Sequence, residues 1–308
     1  MNQQQQLIKI GQGACGSVWA QRLADDEVDV NDVDNYRTVI KREDCNSNRS
    51  ITNEHNINMH ITQLALATIA SESKSNLITG YQVNIPTHID FIATDSSQWD
   101  SLLSLLPPKF EPCRALVSER IPAMSQPFRH LLAQKYIGGR GPQDGGLATI
   151  LLNAVRTEQN CLVRPFLGRR RQPLPERPTR SFSFRNFPLH LDQIQELGLP
   201  KEQYAMAMAD TLAFLHWEAE VDARDVEFVL ARPRSQHAVA SSASSSWSAP
   251  SIGPKAFSSG GPFGTHAMWL LDFDCCRKMT MPGAMDDGGE IATEVALLEA
   301  AAIAFLGE

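Results

Sequence analysis

Residues 7 to 20 read LIKIGQGACGSVWA, two short apolar runs on either side of a glycine-rich stretch. The pattern predicts two short strands flanking a glycine turn. Residues 24 to 35, ADDEVDVNDVDN, are acidic and turn-rich and read as an exposed hairpin loop. Tyr36 to Lys41 is β-branched enough for a third strand. From 50 to 72 the spacing becomes helical, with Thr52 or Asn53 as the cap and Ile57, Ile61, Leu64 and Thr68 on one face. Strands are expected at 85 to 94 and 114 to 121, with a polar, proline-bearing loop between them. The first 120 residues therefore predict a small sheet with one major helix.

Beyond residue 121 the pattern turns mainly helical. Segments 127 to 137 and 146 to 156 are expected as helices, separated by glycine-rich sequence. CLVRPFLG, 161 to 168, reads as a strand, and the Arg/Pro-rich residues 169 to 181 as a loop. Leu189 to Leu197 and Glu202 to Glu218 are expected as helices, the second turning Tyr204, Met208, Leu212 and Leu215 to the core. EFVLA at 227 to 231 is strand-like. Ten of the 36 residues from 231 to 266 are serine, and no periodicity survives there, so this stretch reads as a disordered insertion. Order resumes in AMWLLDFDCC, and Glu290 to Phe305 is helical by its alanine content. The expectation is an α+β chain in two parts, 1–120 and 121–308.

Composition narrows the function classes. A hydrophobic fraction of 43% supports a true core. A net charge of -7 and a pI near 5.6 give no pull toward nucleic acid or anionic membrane. The basic run Arg169, Arg170 and Arg171 reads first as solvated surface and second as an anion or partner contact. No run of 18 apolar residues exists, so no membrane span is expected. The start MNQQQQLIKI has no signal-peptide pattern, which points to an intracellular place, cytoplasm or nucleus. The six cysteines have no CxxC spacing and are read as reduced thiols. Cys275 and Cys276 are adjacent, so their side chains would diverge, and zinc is not expected. His216-Trp217 reads as a packed helix end.

Four signals carry chemistry. Gly11, Gly13 and Gly16 form GxGxxGxV, and the following SVWAQR reads as a strand. That suits a hairpin folded over phosphates better than a dinucleotide turn, which needs a helix there. Lys41 ends a strand and needs a partner for its charge, which Glu54 on the next helix can supply. Asp222 and Glu227 lie five residues apart between a helix and a strand, the separation of a base and a metal ligand. Asp225 is a second candidate for base or structural acid. Finally, Trp269-Leu270-Leu271 delivers Asp272 and Asp274 at a strand end, where hard cations take carboxylate oxygen.

In this order the signals resemble the protein-kinase-like superfamily, including its aminoglycoside and choline phosphotransferase relatives, from Gly11 to Asp274. The resemblance implies a bilobal fold with a small N-terminal sheet lobe and a helical C-terminal lobe. It implies ATP and magnesium as cofactors. Gly11, Gly13, Gly16, Lys41 and Glu54 would hold the nucleotide, Asp222 would be the catalytic aspartate, and Glu227 and Asp272 would bind metal. Three departures stand out: no His-Arg pair precedes Asp222, Glu227 replaces asparagine, and Asp274 replaces glycine. Only 34 residues follow Asp274, so the C-terminal lobe is read as truncated. The segments ALVSERIP (115 to 122), CLVRPFLGRRR (161 to 171), FRNFPLHLDQIQELGL (184 to 199), YAMAMADTLAFLHWEAEVDARDVEFVL (204 to 230) and WLLDFDCCRKM (269 to 279) more closely resemble a fungal family of domains of unknown function. Its members are often labelled zinc finger proteins. The expected function is a catalytically divergent, kinase-like scaffold for a protein partner. The alternative is an ATP- and magnesium-dependent phosphotransferase acting on a hydroxyl, with zinc binding, from the family label, as a minor third.

Overall fold

The glycine turn joins two strands, β1 (Leu7–Gln12) and β2 (Ser17–Gln21), in an antiparallel hairpin. In the computed structural model the described residues are 6–21, 38–45, 48–70, 83–136, 160–171, 183–234, 256–259 and 263–279. The acidic loop, the helix expected at 146 to 156 and the one expected at Glu290 to Phe305 lie outside them.

β3 (Thr38–Arg42), β4 (His88–Ile92) and β5 (Ala115–Glu119) complete a five-stranded sheet of order β1-β2-β3-β5-β4, antiparallel throughout. Two helices accompany it, α1 (Ile51–Ala70) and α2 (Gln98–Leu105). α2 occupies the linker expected to be a loop. Its Trp99 is buried, with the indole N–H donating to the Ala93 carbonyl at 2.9 Å, and packs with Leu7, Trp19 and Ile92. Leu102, Leu103, Leu105 and Leu106 pack in the same cluster, so the segment folds onto the sheet by burying an indole together with a run of leucines. The cap of α1 is Ser50, whose hydroxyl accepts from the Asn53 N–H at 3.4 Å, rather than Thr52 or Asn53.

The second half is α3 (Gln126–Tyr136), β6 (Val163–Phe166), β7 (Phe187–His190), α4 (Leu191–Glu196), α5 (Lys201–Ala213), β8 (Val221–Asp222), β9 (Glu227–Ala231), β10 (Phe257–Ser259), β11 (Gly264–Leu271) and β12 (Arg277–Lys278). A π-helical turn, Phe214–Glu218, extends α5. Five strands form a second sheet of order β10-β11-β9-β6-β7, with β6 and β7 parallel, and β8 pairs with β12. The fold is thus α+β, with several helices and two multi-stranded sheets.

Three expectations change here. The helix placed at Leu189 starts two residues later, because Phe187–His190 pairs with β6 and buries Phe187 and Leu189. The helix expected to run to Glu218 changes to a π turn at Phe214. The insertion is shorter at both ends: Ala231 closes β9, and β10 and the start of β11 take up Phe257–Ser259 and Gly264–His266. Their aromatic rings explain it, since Phe257, Phe263 and His266 pack around buried Tyr204. The rest of the insertion, 235–255 and 260–262, lies outside the described residues.

One packing contact positions the site. Ile57 and Ile61 of α1, with Leu64 partly buried beside them, share a cluster with Leu215, Val221, Leu270 and Phe273. The first-sheet helix is therefore packed against the end of β11 and the residues that follow it.

Candidate functional site

β3 alternates its side chains, so Lys41 and Arg42 leave opposite faces of the first sheet. Arg42 is buried and stacks over Trp99 and Phe110, with its guanidinium carbon 4.8 and 5.1 Å from the ring centres. Lys41 goes the other way and meets two carboxylates. Its Nζ lies 2.6 Å from Glu54 Oε2 in the first turn of α1 and 2.7 Å from Asp272 Oδ1 just past β11. Burial works to lower the Lys41 pKa, but Glu54 and Asp272 outweigh it and hold the ammonium above its ordinary value. Burial raises the Glu54 carboxyl, with Lys41 opposing.

Asp272 sits at φ 71°, a left-handed conformation unusual for a residue with a Cβ. The following turn is fixed from α1. Asn53 donates its side-chain amide to the carbonyls of Asp274 at 3.1 Å and Cys276 at 2.9 Å. Asp274 is 5% exposed, and Arg49 Nη1 lies 3.1 Å from its Oδ1. Its Oδ2 is buried without a hydrogen-bond partner. Burial and then the charge of Asp272 push the Asp274 carboxyl upward. Arg49 also pairs with Asp225, which is itself left-handed at φ 66°. One oxygen each from Glu54, Asp272 and Asp274 lies within 4.8 Å of the others. This is an acidic cluster able to take a divalent cation through oxygen, unlike a Cys/His zinc site. All six cysteines are free thiols.

The three glycines close the hairpin beside Lys41. Gly13 N–H donates to Gly16 O at 2.8 Å, and Gly11 lies at a bulge in β1. Gly16 is pressed against the end of β3, where a Cβ would stand 1.7 Å from the Arg42 carbonyl oxygen. Asp44 fastens the turn, accepting from Ser17 N–H at 2.8 Å and from the Ser17 hydroxyl.

The other two expected site residues, Asp222 and Glu227, have partners of their own. Asp222 lies opposite Arg277 in the β8–β12 ladder, and its charge is felt by the His216 ring and the Cys276 thiol. Glu227 starts β9 and pairs with Arg164 of β6 at 3.0 Å. Burial raises its carboxyl, Arg164 opposes, and the charge of nearby Asp272 adds to the rise. His216 is half-buried and Trp217 is exposed, so only the first packs. Arg171 of the basic run is tied to Asp192 at 2.6 Å and stacks over Tyr136.

Sequence reasoning missed Arg49, Asn53 as a turn clamp, and Arg164. Each acts across a long separation, 225 residues for Arg49 to Asp274, and no local spacing announces that. No family model, curated protein or solved structure gives a match to the chain. The functional reading therefore rests on the site itself.

Proposed function

We propose that the chain is a protein-kinase-like, bilobal scaffold that binds ATP at the Lys41 cluster and serves a protein partner without transferring phosphoryl. The observation that carries this is the split among the carboxylates. Glu54 and Asp272 converge on Lys41, whereas Asp222 lies in a ladder beside His216 and Cys276, and Glu227 is held by Arg164. A nucleotide would draw on Lys41 for its phosphates and on the amides of the Gly11–Gly16 turn. Bound magnesium would offset phosphate charge, and Asp272 fits as its ligand. The expected second ligand, Glu227, is paired with Arg164 at 3.0 Å, and a general base at Asp222 would need to stand by the acceptor hydroxyl.

A thermal-shift titration with ATP, with and without magnesium, tests the pocket, because a ligand of the folded state raises apparent stability. The melting temperature of the wild type should rise, and the rise should vanish in Lys41→Met. A phosphoryl-transfer assay under the same conditions should give no turnover. An active phosphotransferase is the second reading, favoured by the 2.6 and 2.7 Å contacts that already orient Lys41. Turnover that disappears in Asp222→Asn would establish it and overturn the scaffold.

A further inference from the structure

The geometry points to a divalent-cation site formed by Glu54, Asp272 and Asp274, in which Lys41 serves as a built-in competitor. This deepens the reading above at the same site and replaces the expected Asp272–Glu227 ligand pair.

Two observations support it. The first is the oxygen cluster, with one atom per carboxylate within 4.8 Å of the others. Oxygens sharing one ion at 2.0–2.6 Å lie at most about 4–5 Å apart, so the spacing is that of a common coordination sphere. The second is Asp274 itself. It is 5% exposed, and its Oδ2 is buried with no hydrogen-bond partner. A buried carboxylate oxygen left unpaired costs free energy that a cation would recover. Asn53 fixes the backbone that carries Asp274 by donating to the Asp274 and Cys276 carbonyls.

Charge explains why Lys41 matters. Among the described residues, the three carboxylates pair with two cations, Lys41 and Arg49, and Arg49 is shared with Asp225. The Lys41 ammonium touches two of the three ligands, so it stands where a metal ion would be most strongly attracted. A cation and the ammonium therefore compete, and withdrawing Lys41 strengthens the site. The all-oxygen ligand set selects hard ions, magnesium, manganese or calcium, over zinc.

The test is titration of the nucleotide-free full chain with Mn2+, with bound ion read from the electron-spin-resonance signal of free Mn2+ and from melting temperature. Lys41→Met should bind Mn2+ about tenfold or more tighter than wild type, because the internal counter-ion is gone. Lys41→Arg keeps the positive charge and should stay near wild type. Adding Asp274→Asn to Lys41→Met should abolish the tight binding, and far-ultraviolet circular dichroism of each variant checks that it is folded. The inference is overturned if Lys41→Met binds no tighter than wild type, if the double variant keeps the site, or if Glu227→Gln removes it. Mn2+ binding without an ATP shift would sink the nucleotide reading alone. An ATP shift with no Mn2+ gain in Lys41→Met would sink this inference alone.

Discussion

At the scale of single residues, the glycine turn separates positions that look alike in sequence. A methyl group on Gly16 would meet the Arg42 carbonyl oxygen at 1.7 Å, and the backbone there has no rotamer to yield. On Gly13 the nearest atom is the Gly16 carbonyl oxygen, at 4.0 Å. Gly16→Ala should therefore destabilise by about 3 kcal/mol or more, as overpacking against backbone does, and Gly13→Ala by less than about 1 kcal/mol. Urea unfolding of both variants checks this, and equal losses would refute the close approach. The motif spacing made all three glycines visible, but could not say which one is sterically required. Lys41 and Glu54 were legible as a pair for a simple reason: a charge ending a buried strand needs a partner, and the next helix offered an acid. Arg164 was not legible, because its claim on Glu227 depends on β6 lying beside β9.

At the scale of elements, most strands and helices followed from period and turn residues. The exceptions have physical causes. β7 took the first residues of an expected helix because pairing with β6 buried Phe187 and Leu189, and tertiary burial outweighs helix propensity. α2 formed within the expected loop because Trp99, Leu102, Leu103, Leu105 and Leu106 pack into the core of the first sheet. The coupling of α1 to the turn after β11 was invisible in sequence, and it is the contact that assembles the site. Asn53→Ala tests it. Losing side-chain bonds to the Asp274 and Cys276 carbonyls should cost about 1–3 kcal/mol. Hydrogen exchange should quicken locally at the Cys276 amide, which now donates to the Phe273 carbonyl at 3.1 Å. Unchanged protection there would mean that hydrophobic packing of Phe273 alone fixes the turn.

At the scale of the whole molecule, the two halves share a dependence on pH set by buried imidazoles. His266 is wholly buried among Tyr204, Phe257 and Phe263. Its Nδ1 donates to the Gly264 carbonyl at 3.1 Å, which leaves Nε2 to accept from the Tyr204 hydroxyl. Burial lowers its pKa to about 4 from an ordinary 6.5. In the first half, burial and then the charges of His55 and Lys41 lower His88 to about 3. Between these values and 6.5 the unfolded chain binds more protons than the folded one, so stability falls as pH falls. For His266 the full loss between pH 6.5 and 4 is about 3 kcal/mol. The raised carboxyls of Asp274 and Glu227 act in the opposite sense, because their protonation favours the folded state. The measured slope of stability against pH is therefore a difference, and a single curve cannot assign it. The His266→Gln variant can, since glutamine still accepts from Tyr204 but does not titrate. Its urea-derived stability should fall less than that of wild type between pH 7 and 5, by an amount approaching about 1.4 kcal/mol per pH unit below pH 6. Parallel curves for the two proteins would mean that His266 gains no protons on unfolding, and that the acid sensitivity arises at other groups with lowered pKa, His88 and His216 among them.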